Sequence, residues 1–256
     1  MHNTDVGHPS DHVVAQGMAG SNRGVTLRFM AFALALLGAV VAPLSAVLAP
    51  QPGWIGLAGS TFLLGAIVTA IGMDRHYPHD RLGLANMISL LRMAMVSPLV
   101  LIIAMPGLLA EARLAWGVLG LAVVSLSLDG VDGFFARRQG LSSRFGARFD
   151  VEVDSLFALL LAVLAFQLDK AGAWVLILGL ARYLFVAAGA IWPWLMADLP
   201  ERFSRKAVCV IQIGVLIALL APIVVAPVSL VLAGLASLLV AWSFAVDIVW
   251  LARRRA

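Results

Sequence analysis

The chain has 256 residues, 62% of them hydrophobic and only 12% charged, with a mean hydropathy of +0.98. Soluble domains carry about 25% charged residues, so a water-soluble globule is excluded and a single-domain integral helical membrane protein is expected. A net charge of +4 and a pI near 10.0 would suggest nucleic acid in a soluble protein; here the basic residues fall in short loops between apolar runs, which assigns them to topology and lipid headgroups, with no nucleic-acid partner.

Residues 1–24 are polar, rich in Gly, His, Ser and Asn, and without periodicity. They read as a disordered cytoplasmic tail, too long and too polar for the front of a signal peptide, and no cleavage pattern follows the first apolar run. A membrane span needs about 20 apolar residues. Candidate spans fall at 28–49, 54–73, 84–105, 114–135, 148–168, 173–195, 207–225 and 229–250. The predicted fold class is therefore all-α, a polytopic membrane bundle of about eight helices, with Pro98 and Pro193 as kink sites. Cys209, the only cysteine, excludes an intramolecular disulfide and a cysteine-based metal site.

Charge alternates between the connections. Arg75 and Arg81, then Arg137, Arg138, Arg144 and Arg148, then Arg202, Arg205 and Lys206, then Arg253, Arg254 and Arg255 occupy every second loop. The intervening loops hold none at 50–53, Arg113, Lys170, and none at 222–228. The positive-inside rule puts the basic loops and both termini in the cytoplasm. Trp54, Trp116, Trp174 and Trp250 lie near span ends, as an interfacial belt requires.

The run from Asp129 to Asp154, DGVDGFFARRQGLSSRFGARFDVEVD, interrupts this apolar pattern with four aspartates, Asp129, Asp132, Asp150 and Asp154. Ionised carboxylates are costly in a membrane and mark function. Asp129 and Asp132 are three apart and Asp150 and Asp154 four apart, so each pair shares a helix face. Residues 138–147 contain Gly140, Ser142, Ser143 and Gly146 and read as a turn that returns the second helix antiparallel to the first. The four carboxylates then meet at the cytoplasmic ends of two helices. An all-oxygen cluster suits Mg²⁺, Mn²⁺ or Ca²⁺ rather than zinc or copper. Gly133, Ala136, Gly146 and Ala147 permit close approach, and Arg137 is placed to hold a phosphate oxygen. Acids for metal beside an arginine for phosphate describe phosphoryl-transfer equipment. The competing explanation is ion pairing of the acids with Arg137, Arg138, Arg144 and Arg148.

Asp129, Asp132, Gly133, Ala136, Arg137, Gly146, Asp150 and Asp154 fit D-x2-D-G-x2-A-R-x8-G-x3-D-x3-D at every fixed position. This pattern resembles the signature of the CDP-alcohol phosphotransferase (phosphatidyltransferase) family. The resemblance extends over about residues 82–250 and implies a six-helix core, 82–252, preceded by two extra N-terminal helices within 25–75. It implies attack by a small alcohol on the β-phosphorus of a CDP-linked lipid, usually CDP-diacylglycerol, with release of CMP. It further implies two divalent cations, Mg²⁺ or Mn²⁺, the first held by Asp129, Asp132 and Asp150 and the second by Asp129, Asp150 and Asp154. Asp154 is the implied general base. Gly133 and Arg137 are implied contacts of the nucleotide and its phosphates, with Ala136, Gly146 and, from the loop, Ser143 as further candidates. A bacterial inner membrane is the expected location, and a homodimer is an expectation drawn from the family alone.

Asn86, Ser89 and Arg92 resemble the start of the family's first core helix, where an Asn or Asp and a Ser or Thr frame the nucleotide; Leu84-Ala85 stands where the family often has Thr-Pro. Asn86 is equally readable as a helix N-cap. Arg182, within an apolar helix, either binds a phosphate on the acceptor or snorkels to an interface. Some glycerol-phosphate members have Arg-Glu near this place, where this chain has Arg182-Tyr183. Arg205 and Lys206 are candidates for an anionic acceptor. Glycerol 3-phosphate is the expected acceptor on commonness, with inositol phosphate, choline, serine or another alcohol as alternatives. A divalent-cation transporter is the alternative of another class; transport sites usually lie near the membrane midplane, whereas these acids cluster toward one face.

Overall fold

The computed structural model describes the backbone of residues 10–49, 51–139, 141, 143–200 and 202–254, and the side chains of these residues except 10–22 and 131–139. It is helical, with no strand among the described residues. Helix α1 (Ser10–Leu36) passes through a π-helical stretch, Leu37–Val41, into α2 (Ala42–Leu48), and α3 (Pro52–His76) follows after a short connection. The helical backbone thus begins at Ser10, inside the stretch read as a polar tail. There follow α4 (Leu84–Val96), α5 (Leu99–Ala104), α6 (Ala112–Gln139), α7 (Arg144–Gln167), α8 (Ile177–Ile191), α9 (Phe203–Leu220) and α10 (Val228–Arg253).

Among the described residues, seven stretches are long and apolar enough to cross a membrane: Arg23–Leu48, Pro52–His76, Leu84–Ala104, Ala112–Gly130, Ala173–Ile191, Phe203–Leu220 and Val228–Arg253. The remaining long helix, α7, has 24 residues. Charge rather than length sets it apart, because its first half carries Arg144, Arg148, Asp150, Glu152 and Asp154. Pro98 divides one span into α4 and α5 across a tight turn, since its missing N–H breaks the helical ladder. Pro193 ends α8 instead of kinking it, and opens a 3₁₀ turn, Pro193–Met196. With no water inside a bilayer, polar groups must be satisfied within the protein. Ser45, Thr69 and Ser155 donate to the carbonyls four residues back at 2.6–2.8 Å.

Helix α7 lies at the centre. Phe157, Leu161, Leu164 and Ala165 on its second half are buried in one apolar cluster with residues of α5, α6, α8, α9 and α10. Phe149 and Val153 on its first half are buried with Val25, Phe29 and Phe62 of the N-terminal helices and Leu90 and Met93 of α4. Lipid provides no hydrophobic drive between helices, so close packing of small residues matters most. At Gly179 of α8 an added Cβ would lie 2.5 Å from Leu159 Cα of α7, so only glycine allows that approach.

Long-range bonds sort the helix ends. Arg202 and Arg205 at the start of α9 reach Asp247 near the end of α10. At the opposite end, Lys170 in the α7–α8 connection donates to the Ala221 and Val224 carbonyls just beyond α9, at 3.0 and 2.7 Å, and Gln167 donates to the Ile103 carbonyl at 3.0 Å. The ammonium of Lys170 is buried, which pushes its pKa below the ordinary lysine value.

Candidate active site

The end of α6 and the first turns of α7 converge on α4. The carboxylates of Asp129, Asp150 and Asp154 each present an oxygen to one point, these atoms lying within 4.8 Å of one another. The sequence-predicted turn therefore brings the two helices together as expected. The side chains of Asp132, Gly133, Ala136 and Arg137 lie outside the described residues.

Beneath the three acids sits Arg92, the largest side chain that is wholly buried. Its Nη1 donates to Asp129 Oδ1 at 2.8 Å and to Asp150 Oδ1 at 2.9 Å, its Nη2 to Asp154 Oδ1, and its Nε to the Ser125 carbonyl at 3.1 Å. Arg92 therefore faces the interior of the bundle and does not snorkel to an interface. Arg144 and Arg148 are exposed and pair with none of these acids among the described residues, where the countercharge comes from Arg92 of α4; the side chains of Arg137 and Arg138 lie outside the described residues. A buried guanidinium bonded on several edges stays ionised and holds planar carboxylates in place. The arrangement is directional. Arg92 has no exposure, while the aspartate side chains are 22%, 31% and 24% exposed, so the acids open away from the arginine. Three carboxylates against one guanidinium leave a formal charge of about −2 on an all-oxygen donor set, which fits a hard divalent cation.

The signal for Arg92 lay in the sequence. Asn86, Ser89 and Arg92 recur every three residues on an otherwise apolar helix, which is one polar stripe. Ser89 Oγ donates to the Ala85 carbonyl at 3.1 Å and lies 3.5 Å from Asp150 Oδ1. Asn86 is not the N-cap of α4; Gly83 is, without a side-chain cap bond. Asn86 stands one turn in and buried, with its side chain against the first turn of α7. There a Cβ on Gly146 would meet Asn86 Oδ1 at 2.9 Å and Ser143 Oγ at 3.2 Å, so the glycine is required by the close approach of α4 and α7. Ser143 caps α7, its Oγ accepting the Gly146 N–H at 2.9 Å, a local role not anticipated from sequence.

The two arginines weighed for an acceptor are paired with carboxylates other than the three acids. Arg182 is paired with Glu152 of α7, a partner the sequence did not suggest, and its buried Nε has no partner. Arg205 holds Asp247 with two bonds, Nε to Oδ2 at 2.9 Å and Nη2 to Oδ1 at 3.0 Å, while Arg202 Nη1 reaches Oδ1 at 2.9 Å. Lys206 is exposed in the first turn of α9.

With this geometry in view, comparison with known proteins is decisive at the family level. A family model described as CDP-alcohol phosphatidyltransferase matches residues 82–249. The chain belongs to this family. No curated protein and no solved structure matches it. Membership makes the protein a transferase of phospholipid synthesis, taking a phosphatidyl group from a CDP-alcohol to an alcohol acceptor. With seven apolar spans, it is an integral membrane enzyme. The family generally uses divalent metals, and Asp129, Asp150 and Asp154 are the residues here that could hold one. The match begins at residue 82, so α1, α2 and α3 stand outside it.

Proposed function

We propose that the protein transfers a phosphatidyl group from CDP-diacylglycerol to a small anionic alcohol at the cytoplasmic face of a bacterial inner membrane, releasing CMP. The observation that carries this reading is the convergence of Asp129, Asp150 and Asp154 at the α6–α7 turn. The basic residues fall in alternate connections along the chain, which supports the cytoplasmic assignment. No observation favours cation transport.

In this reading Asp129, Asp132 and Asp150 would hold one divalent cation, Mg²⁺ or Mn²⁺, and Asp129, Asp150 and Asp154 would hold a second; such a pair would supply positive charge against the pyrophosphate. Gly133, Ala136 and Gly146 give the nucleotide close backbone approach, Arg137 holds a phosphate oxygen, and Asn86 frames the nucleotide from α4. Asp154 accepts the proton of the acceptor hydroxyl as that oxygen bonds to the β-phosphorus. The bond from the β-phosphorus to the bridging oxygen breaks, and that oxygen leaves with CMP. Arg92 remains beneath the acids, fixing their orientation without meeting substrate.

Two arginines share the one carboxylate of Asp247, leaving an excess positive charge that an anionic acceptor can use. This favours glycerol 3-phosphate or an inositol phosphate over choline or serine. The test is lipid product formation by purified protein with CDP-diacylglycerol, Mn²⁺ and a panel of these alcohols. A phosphate-bearing acceptor alone should give product; product only with choline or serine would overturn the acceptor assignment.

A further inference from the structure

The N-terminal helices stand outside the family match, yet one residue from their connection reaches the nucleotide side of the core. Tyr77, directly after α3, is 2% exposed. Its hydroxyl donates to the Arg81 carbonyl at 3.0 Å and accepts the Gly83 N–H at 3.3 Å. Asn86 stands one turn into the helix that this connection opens, with its Oδ1 beside Gly146 of α7. The ring of Tyr77 stands edge-on to Phe145 of α7, centroids 5.9 Å apart at 73°. Tyr77 therefore ties the connection into α4 to the first turn of α7.

We propose that Tyr77 is a positioning residue for nucleotide binding, fixing the start of α4, and with it the place of Asn86, against the first turn of α7. The inference rests on the reading of Asn86 as a nucleotide contact, and the experiment separates the two. CMP binding to the full-length protein in detergent with Mn²⁺ is measured by calorimetry for wild type, Tyr77→Phe, Asn86→Ala and the double variant. Phe62→Ala, a buried change in α3 away from Tyr77, controls for general loosening of the N-terminal helices.

Tyr77→Phe should weaken CMP binding by about three- to tenfold, the range one well-placed hydrogen bond spans, and should add nothing to Asn86→Ala. In turnover, the KM for CDP-diacylglycerol should rise while kcat stays near wild type. Phe62→Ala should lower the melting temperature and leave CMP affinity unchanged. Phe145→Leu, which keeps every hydrogen bond but frees the Tyr77 ring, is the second variant if Tyr77→Phe does not fold; it should weaken CMP binding only when Asn86 is present. Wild-type CMP affinity in Tyr77→Phe, with Asn86→Ala impaired, overturns the role of Tyr77 alone. Equal weakening by Phe62→Ala reduces that role to structure and overturns it also. Unchanged affinity in Asn86→Ala overturns the reading of Asn86, and this inference with it.

Discussion

Arg92 decides how the acidic site can exist inside a membrane protein. Removing one partner of a buried charge cluster leaves the others uncompensated, which typically costs about 3–5 kcal/mol. Arg92→Met should therefore destabilise the metal-free protein by an amount in that range, with a smaller loss when Mn²⁺ is present to supply positive charge. Equal loss with and without Mn²⁺, measured by thermal unfolding in detergent, would contradict the placement of a cation among these acids. Asp154→Asn tests the general base. A positioned base contributes about 10² to 10⁴ in rate, so kcat should fall by that factor while CMP affinity changes much less. The convergence of Asp129, Asp150 and Asp154 was legible from sequence because paired carboxylates at helical spacing have few structural uses in an apolar chain. Arg92 was harder to assign, since an arginine two turns into a span fits snorkelling as well as an inward site. Only the positions of α6 and α7 distinguish those choices.

Helix α7 joins the site to both halves of the bundle. Its first turn is fixed by the Ser143 cap and by the contact of Gly146 with Asn86. Ser143→Ala should cost about 1 kcal/mol of stability, the usual value for a lost N-cap. Gly146→Ala should do more harm to CMP binding than to stability, because the added methyl presses on Asn86 rather than on the core; calorimetric CMP binding beside a melting curve reads both. The helix was anticipated from residue 148, and its true start at Arg144 follows from a capping serine hidden in a run that reads as turn. Pro193 likewise read as a kink, but the helix had already ended at Ile191. Proline signals a break in the hydrogen-bond ladder without saying whether helix resumes beyond it. The pairings of Arg182 with Glu152 and of Asp247 with two arginines join residues 30 to 45 apart in sequence; no local pattern encodes them.

At the scale of the whole molecule, composition alone was enough to specify a helical membrane protein, because a chain with this few charges cannot cover a soluble surface. The family motif identified the core, while the packing of α1 and α3 against α4 and α7 is visible only in three dimensions. The end opposite the site carries its own polar element, Lys170 on the carbonyls beyond α9. Burial holds its folded pKa below the ordinary lysine value. Between the two values the unfolded chain holds the proton more firmly, so stability rises with pH through that window. Lys170→Met should remove that rise, which melting curves at stepped alkaline pH would reveal.

The most direct test of the central claim is CMP release from CDP-diacylglycerol by the purified protein, with Mn²⁺ or with EDTA, beside Asp150→Asn. Release that requires an added alcohol, stops in EDTA and is lost in Asp150→Asn is the predicted result. Release that persists in EDTA, or in folded Asp150→Asn at the wild-type rate, would contradict a metal-dependent transfer centred on these aspartates.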